Sequence, residues 1–441
     1  MIKIDLDPDQ IVGRLLSADR GGVCILDSCG TAHSGSQWLL AGISPRETFE
    51  ITNRNTRETL QLIDEIFSGS KVAIFSISYD FGRKLENIGN STPSSEPDLF
   101  VSLFDCLIAH DYRSRETFVA GNSKSIGGNL DVLFCKRSED EAQTQGFGRR
   151  IRSNLTSAEY VDAVEAIKEL IRSGETYQVN LTQQIKVDLP GNFRIADAFT
   201  RIRKEFPAPF TAYLERRTST VISASPERFF RIAHNRIEAS PIKGTRPRGK
   251  DADGDWRMRD ELQASEKDRA ENVMIVDLMR NDLGRVCEYG SVRVRELCAV
   301  QELPTLFHLV STVEGSLRSD TKPSDIIRAL FPCGSITGAP KLRTMQIIDE
   351  LESSSRGLSM GAIGVYIPDG FGLTPTLDLS VAIRTMVVRD NHATFNVGGG
   401  IVIDSDPEAE YLESLVKARA LLGSLGISST EMREHFSSKA V

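Results

Sequence analysis

The stretch Ser240-Pro241-Ile242-Lys243-Gly244-Thr245-Arg246-Pro247-Arg248 sets the first limit on this chain. Its two prolines and one glycine forbid a helix through it. It follows a strand-like run, Ala233 to Ala239, and reads as a stiff turn holding one ammonium between two guanidinium groups. Flanking cations favour the neutral amine of Lys243, the form that acts as a nucleophile. The chain around this turn is strand-rich. Val23–Asp27, Trp38–Ile43, Val72–Ile77, Leu99–Asp111 and Thr117–Gly121 are apolar runs bounded by turn residues.

Helical spacing marks Thr59–Phe67, a helix capped at Ser157 and running to Arg172, and Ile195–Phe206. Ser265 reads as the N-cap of a long helix to Asn281, closed by Gly284. Further helices are expected over Pro323–Leu330 and Lys341–Ser353, and after the cap-plus-proline start Asp406-Pro407. Tyr177–Ile185 alternates, which places Gln178, Asn180 and Thr182 on one face. Gly361–Ile367, Leu377–Val388 and Ala393–Ile403 predict an antiparallel meander. Lys84–Pro97 reads as a surface loop, and Arg137–Arg150 as a linker. The expected organisation is residues 1–150, an N-terminal mixed region; 151–426, a catalytic region; and 427–441, a frayed tail.

With 441 residues the chain can bury a large core without metal or disulfide staples. Its seven cysteines form no CxxC pair, which predicts reduced thiols and a cytoplasmic setting. No apolar run approaches the ~20 residues of a membrane span. A net charge of −8 argues against nucleic acid as the main partner. A small acidic substrate remains open, because only the local field of a cleft matters to it.

Two helices carry acidic residues three apart, Asp268 with Glu271 and Glu410 with Glu413, so each pair shares a face. Such a pair alone is usually a solvated surface. Both, however, sit in longer segments, Glu266-Lys-Asp-Arg-Ala-Glu-Asn-Val-Met-Ile-Val-Asp-Leu-Met-Arg-Asn-Asp282 and Gly398-Gly-Gly-Ile-Val-Ile-Asp-Ser-Asp-Pro-Glu-Ala-Glu-Tyr-Leu-Glu413. These segments, with Pro-Ile-Lys-Gly-Thr-Arg-Pro-Arg, resemble the signatures of the chorismate-utilising enzymes over about Ser157–Leu422.

The resemblance implies an α+β fold of two large antiparallel sheets packed as a sandwich with helices outside. It implies Mg²⁺ bound directly by Glu271 and Glu413, with Asp268 and Glu410 acting through water. Backbone N–H groups of Gly398, Gly399 and Gly400, with Arg384, would take substrate carboxylates. Ser335, Thr337, Gln178 and Thr245 would contact substrate, Glu227 would act as general acid, and His308 would lie in the site. Lysine at position 243 resembles the branch that aminates chorismate at C4, where anthranilate synthases usually carry alanine. That likeness implies the activity of an aminodeoxychorismate synthase component I, in folate (4-aminobenzoate) biosynthesis. Its ammonia would come from a separate glutamine amidotransferase subunit. Gln178 supports nitrogen over water as nucleophile, because an amide cannot deprotonate water. The alternatives are anthranilate synthase component I and a non-catalytic metabolite-binding protein.

One competing motif fails. Gly334, Gly338 and Lys341 mimic a phosphate loop, but Ala339-Pro340 separates glycine from lysine and Leu342 replaces the hydroxyl residue.

Overall fold

The computed structural model describes residues 1–18, 21–31, 37–52, 55–89, 94–121, 133, 150–303 and 306–437. Among these residues, twelve strands form one antiparallel sheet and ten form another. The two sheets face each other across a shared core that includes Ile74, Phe100, Phe104, Leu107, Leu214 and Val221. Helices Pro8–Leu16, Ile195–Glu205 and Pro407–Ser424 cover the outer face of the larger sheet with their apolar stripes. Thr56–Phe67, Glu266–Gly284 and Pro323–Leu330 do the same for the smaller one. The expected α+β sandwich with outer helices is therefore the architecture found.

The first third of the chain supplies strands to both sheets. Cys24–Asp27 pairs with Phe210–Glu215 in the larger sheet, and Val72–Ile77 pairs with Ala362–Ile367 in the smaller. This interleaving depends on places where the chain passes from one sheet to the other. Leu99–Phe104 lies in the smaller sheet and Cys106–Asp111 in the larger, with Asp105 between them. Thr376–Val381 and Thr385–Arg389 divide in the same way around Ala382, Ile383 and Arg384. A further crossing, at Pro226 and Glu227, joins Thr220–Ser225 to Arg228–Ala233. The last two crossings lie side by side, with Ala224 N–H donating to the Arg384 carbonyl at 2.9 Å and Val381 N–H to the Glu227 carbonyl at 3.0 Å.

Several expectations are corrected. The predicted meander is split, since Ala362–Ile367 and Thr376–Val381 pair in one sheet while Thr385–Arg389 and His392–Ile401 pair in the other. The stretch around Lys243 is not a turn but an edge strand, Ile242–Pro247, where proline is tolerated because an edge leaves N–H groups without ladder partners. The run before it is two strands, Arg228–Ala233 and Arg236–Ala239, joined through His234 and Asn235 at positive φ. The helix expected to be capped by Ser157 is capped by Thr156, in a reciprocal box with Glu159.

In the expected surface loop, Lys84 and Leu85 end a helix, Tyr79–Leu85, and Glu96 turns inward to pair with buried Arg216. Residues 90–93 of that loop and residues 137–149 of the expected linker lie outside the described residues. The end of the chain is not frayed as far as it is described. Ser429–Ser437 is a helix with Met432 and Phe436 buried against the larger sheet's helices.

Candidate active site

The edge strand Ile242–Pro247 pairs with Leu306–Ser316 and carries an irregularity between Lys243 and Thr245. Gly244 occupies it at φ 76°, a conformation that costs glycine little. A Cβ there would sit 2.8 Å from the Asp268 Cγ and 2.9 Å from the Leu262 Cδ1, so glycine lets the strand approach the first acidic helix. The register brings Thr245 opposite His308, and their Oγ1 and Nδ1 atoms share a hydrogen bond at 2.9 Å. Burial, aided by nearby Arg384, pushes the His308 imidazole down to about 4, against the opposing bond to the Gly244 backbone. His308 is therefore neutral near pH 7. Burial also lowers the Arg384 guanidinium, and among the described residues no carboxylate pairs with it. Arg384 is thus a half-buried cation open to an anion, on backbone at φ 48°.

Glu227 is buried, and among the described residues its Oε1 has no hydrogen-bond partner. Burial raises its carboxyl, while the Ser335 hydroxyl, the Lys243 ammonium and the Ile242 backbone pull it back. A carboxyl biased toward its protonated form in a cleft is what a general acid requires. Lys243 is a cation common to three carboxylates, drawing down Glu227, Glu271 and Glu413 together. Its flanking guanidinium groups are committed elsewhere. Arg246 pairs with Glu261 and Asp268, and Arg248 with Asp255, so the argument from unpaired flanking cations does not apply.

The two acidic helices come near enough for Lys267 on the first to pair with Glu410 on the second at 4.0 Å. Burial raises Glu271, offset by Lys243 and Lys267, with Asp268 and Glu410 adding to the rise. Partial desolvation opposes Glu413, yet Lys417 at 2.9 Å, with Lys267 and Lys243, holds it below the usual carboxylate range. Glu410 accepts from the Ser405 hydroxyl at 2.7 Å, and Asp268 accepts from Arg246 at 3.3 Å. Among the described residues, no three His, Cys, Asp or Glu side chains form a closed metal cage. An open set of one or two carboxylates matches what Mg²⁺ takes when water and a substrate anion complete its shell.

Gln178 opens the strand Gln178–Asp188, whose neighbour is His392–Ile401, with Asn180 facing Gly400 and Thr182 facing Gly398. The Gln178 amide is buried, among the described residues neither its nitrogen nor its oxygen has a partner, and it lies across Gly400, where a Cβ would be 2.5 Å from Nε2. Beyond Thr394, among the described residues, the glycine strand pairs on one side only. Asn396 N–H points away from that partner to Ser359 Oγ at 3.1 Å. By strand alternation the N–H groups of Gly398 and Gly400 point the same way, toward the uncovered edge, whereas that of Gly399 points into the ladder.

Ser335 lies in the short 3₁₀ turn Gly334–Ile336 beside Glu227. Thr337 is buried, with its hydroxyl bonded to the Cys333 and Gly334 carbonyls, so it shapes the turn. Lys341 is held by Asp282 at 2.6 Å and the Leu330 carbonyl at 2.9 Å, consistent with the failed phosphate-loop match. Sequence reasoning missed Lys417, which donates to the Gly398 carbonyl at 2.8 Å. Its place four residues after Glu413 was a usable signal.

The family model described as chorismate binding enzyme matches residues 24–423. Across 96% of this chain and 91% of the relative, the sequence is 34% identical to anthranilate synthase component 1 1 of Haloarcula marismortui. Across 81% of this chain and 78% of the relative, it is 38% identical to aminodeoxychorismate synthase component 1 of Klebsiella aerogenes. The crystal structure of anthranilate synthase component I from Streptococcus pneumoniae TIGR4 matches with a TM-score of 0.76 at 25% identity, covering 88% of this chain and 93% of that one.

Proposed function

The chain belongs to the chorismate-binding enzyme family, and from that premise we propose that it aminates chorismate at C4 to give 4-amino-4-deoxychorismate, as component I of an aminodeoxychorismate synthase serving 4-aminobenzoate and folate synthesis. The observation that carries this reading is the position of Lys243, whose charge reaches Glu227, Glu271 and Glu413 together. An amine so placed lies between a proton donor and an acidic seat.

In the proposed reaction Lys243 first gives its extra proton to the carboxylates around it, and the freed amine forms a bond to C2 as the ring double bonds shift and the C4–O bond breaks. Glu227 gives its proton to the departing hydroxyl, which leaves as water. Ammonia then adds at C4, the double bonds shift back, the C2–N bond to Lys243 breaks, and the surplus proton on the new nitrogen returns to Glu227. Arg384 takes the enolpyruvyl carboxylate in a paired geometry suited to guanidinium. Gly398 and Gly400 offer N–H groups to a second carboxylate.

The carboxylate donors and the raised Glu271 fit a hard divalent cation. Mg²⁺ held by Glu271 and Glu413, with Asp268 and Glu410 acting through water, would neutralise and orient the ring carboxylate. Ammonia enters from solution or from a separate glutamine amidotransferase, a partner in keeping with relatives named as component 1.

Anthranilate synthase component I is the second reading, favoured by the long match to the Haloarcula relative. Product identification decides between them. Chorismate, Mg²⁺ and ammonium should give aminodeoxychorismate. Anthranilate as the product would overturn the C4 assignment. Lys243→Ala should slow or reroute turnover, and an unchanged rate and product would remove the nucleophile role.

A further inference from the structure

Arg356 and Glu352 form an ion pair buried at both ends, with side-chain exposures of 1% and 4%. Desolvation of such a pair commonly offsets its Coulombic gain, so stability alone explains it poorly. Its connections are more informative. Arg356 Nη1 donates to the Ile336 carbonyl at 2.9 Å, and Nη2 donates to the Asn180 carbonyl at 2.6 Å. Glu352 Oε1 accepts both the N–H and the hydroxyl of Thr182, at 2.8 and 2.9 Å. One guanidinium therefore grips the turn that bears Ser335 and the strand that bears Gln178. Its carboxylate partner grips the same strand where it faces Gly398. The guanidinium is itself located by the Tyr79 ring, 4.6 Å from its carbon.

We propose that Arg356 and Glu352 are a positioning pair, fixing the Ser335 turn against the Gln178 strand so that Glu227 and the bound substrate stay in register. Neither residue touches the substrate. The inference rests on the site consuming chorismate, but not on which product it makes.

The link to chemistry runs through Ser335, whose hydroxyl lies near enough to Glu227 to pull its carboxyl down against burial. The other groups acting on Glu227 are Lys243 and the Ile242 backbone on the edge strand, and the Cys333 thiol in the same turn. If the turn slackens, the Ser335 hydroxyl draws back and burial carries Glu227 further upward. A general acid then keeps its proton to higher pH, and the alkaline limb of kcat moves up.

The test compares wild type, Arg356→Lys and the double apolar exchange Arg356→Met with Glu352→Leu. Misplacing a catalytic geometry by about 1 Å costs on the order of 100-fold, so Arg356→Lys should lower kcat for chorismate consumption about 10- to 100-fold. KM should change little, Tm should fall because an ammonium cannot reproduce the four guanidinium bonds, and the alkaline limb should shift upward. The apolar pair should fold, as such replacements commonly do, and still lose kcat. Folded variants with wild-type kcat and pH profile would overturn the proposal.

If wild type consumes no chorismate, the substrate reading fails by itself. The pair is then judged by infrared titration of the Glu227 carboxyl, with Glu227→Gln identifying its band. An upward shift in Arg356→Lys supports positioning, and an unmoved titration refutes it.

Discussion

Glu227 and Arg384 occupy adjoining crossings between the two sheets, where each main-chain carbonyl is hydrogen-bonded by the other crossing's flank, at 3.0 Å from Val381 and 2.9 Å from Ala224. The candidate acid and the candidate anion seat are therefore related through backbone. Side-chain flexibility has little say in their spacing, and substitutions at either should act on chemistry before they act on the fold.

Glu227→Gln removes the proton donor and should lower kcat about 100- to 10,000-fold. Stability should respond in the opposite sense. The wild-type carboxyl is raised from 4.5, so the folded chain holds its proton at pH values where the unfolded chain has released it. Its contribution is fully present below 4.5 and is lost as pH rises through the raised value. Thermal melts should show the Tm advantage of Glu227→Gln over wild type growing across that window. A constant difference would mean that the carboxyl does not titrate there.

Arg384→Lys keeps the charge and loses the planar fork. A charged hydrogen bond is worth roughly 1.5–3 kcal/mol, so kcat/KM for chorismate should fall about 10- to 100-fold, mainly through KM. Unchanged steady-state constants would place the anion seat elsewhere.

Glu271→Gln should raise the metal-free Tm, because it removes a partly buried charge that Asp268 and Glu410 already oppose. The same variant should reduce the gain in Tm on adding Mg²⁺, which follows the ratio of free ion to its dissociation constant. A variant that gains as much as wild type would remove Glu271 from the proposed ligand set.

His308 is lowered from 6.5 to about 4, so its neutral form contributes stability that is complete above 6.5 and lost as pH falls toward 4. The difference amounts to roughly 3 kcal/mol at about 1.4 kcal/mol per unit. His308→Gln should flatten the acid side of the Tm profile between those values. An equally steep decline would show that other groups govern it.

Gly244→Ala combines a disfavoured φ of 76° with contacts of 2.8 and 2.9 Å to Asp268 and Leu262. Gly290 has a nearly identical φ of 77° and open space where its Cβ would go. Gly290→Ala should therefore report the backbone cost alone, about 1 kcal/mol. Denaturant melts should place Gly244→Ala well above that cost. Equal losses would mean that the edge strand can give way.

Periodicity made some elements legible and hid others. Pro323–Leu330 and the Ser265 cap stand where the sequence put them, because local capping chemistry decided both. Leu99–Asp111 reads as one strand because apolar character continues through Asp105 while the sheet membership changes. The edge strand at Lys243 was read as a turn because proline and glycine penalise interior strands far more than a bulged edge. Helix Ala252–Ala264 was missed because it is polar on nearly every side and buries only Leu262, although Asp251 was available as a cap. The acidic helices, the glycine strand and Lys243 were visible through the family resemblance. Arg356 was not: its spacing from Glu352 is that of an ordinary surface pair, and the Ile336 and Asn180 carbonyls that it grips lie on a turn and a strand far away in sequence.

The sharing of both sheets by the first third of the chain restricts how such a protein can be divided. A cut near residue 150 would separate Cys24–Asp27 from Phe210–Glu215 and Val72–Ile77 from Ala362–Ile367, leaving bare ladder edges on both fragments. Neither piece could then serve as a transplantable module. Splitting or shuffling a gene of this kind demands fragments that find each other again before either one aggregates.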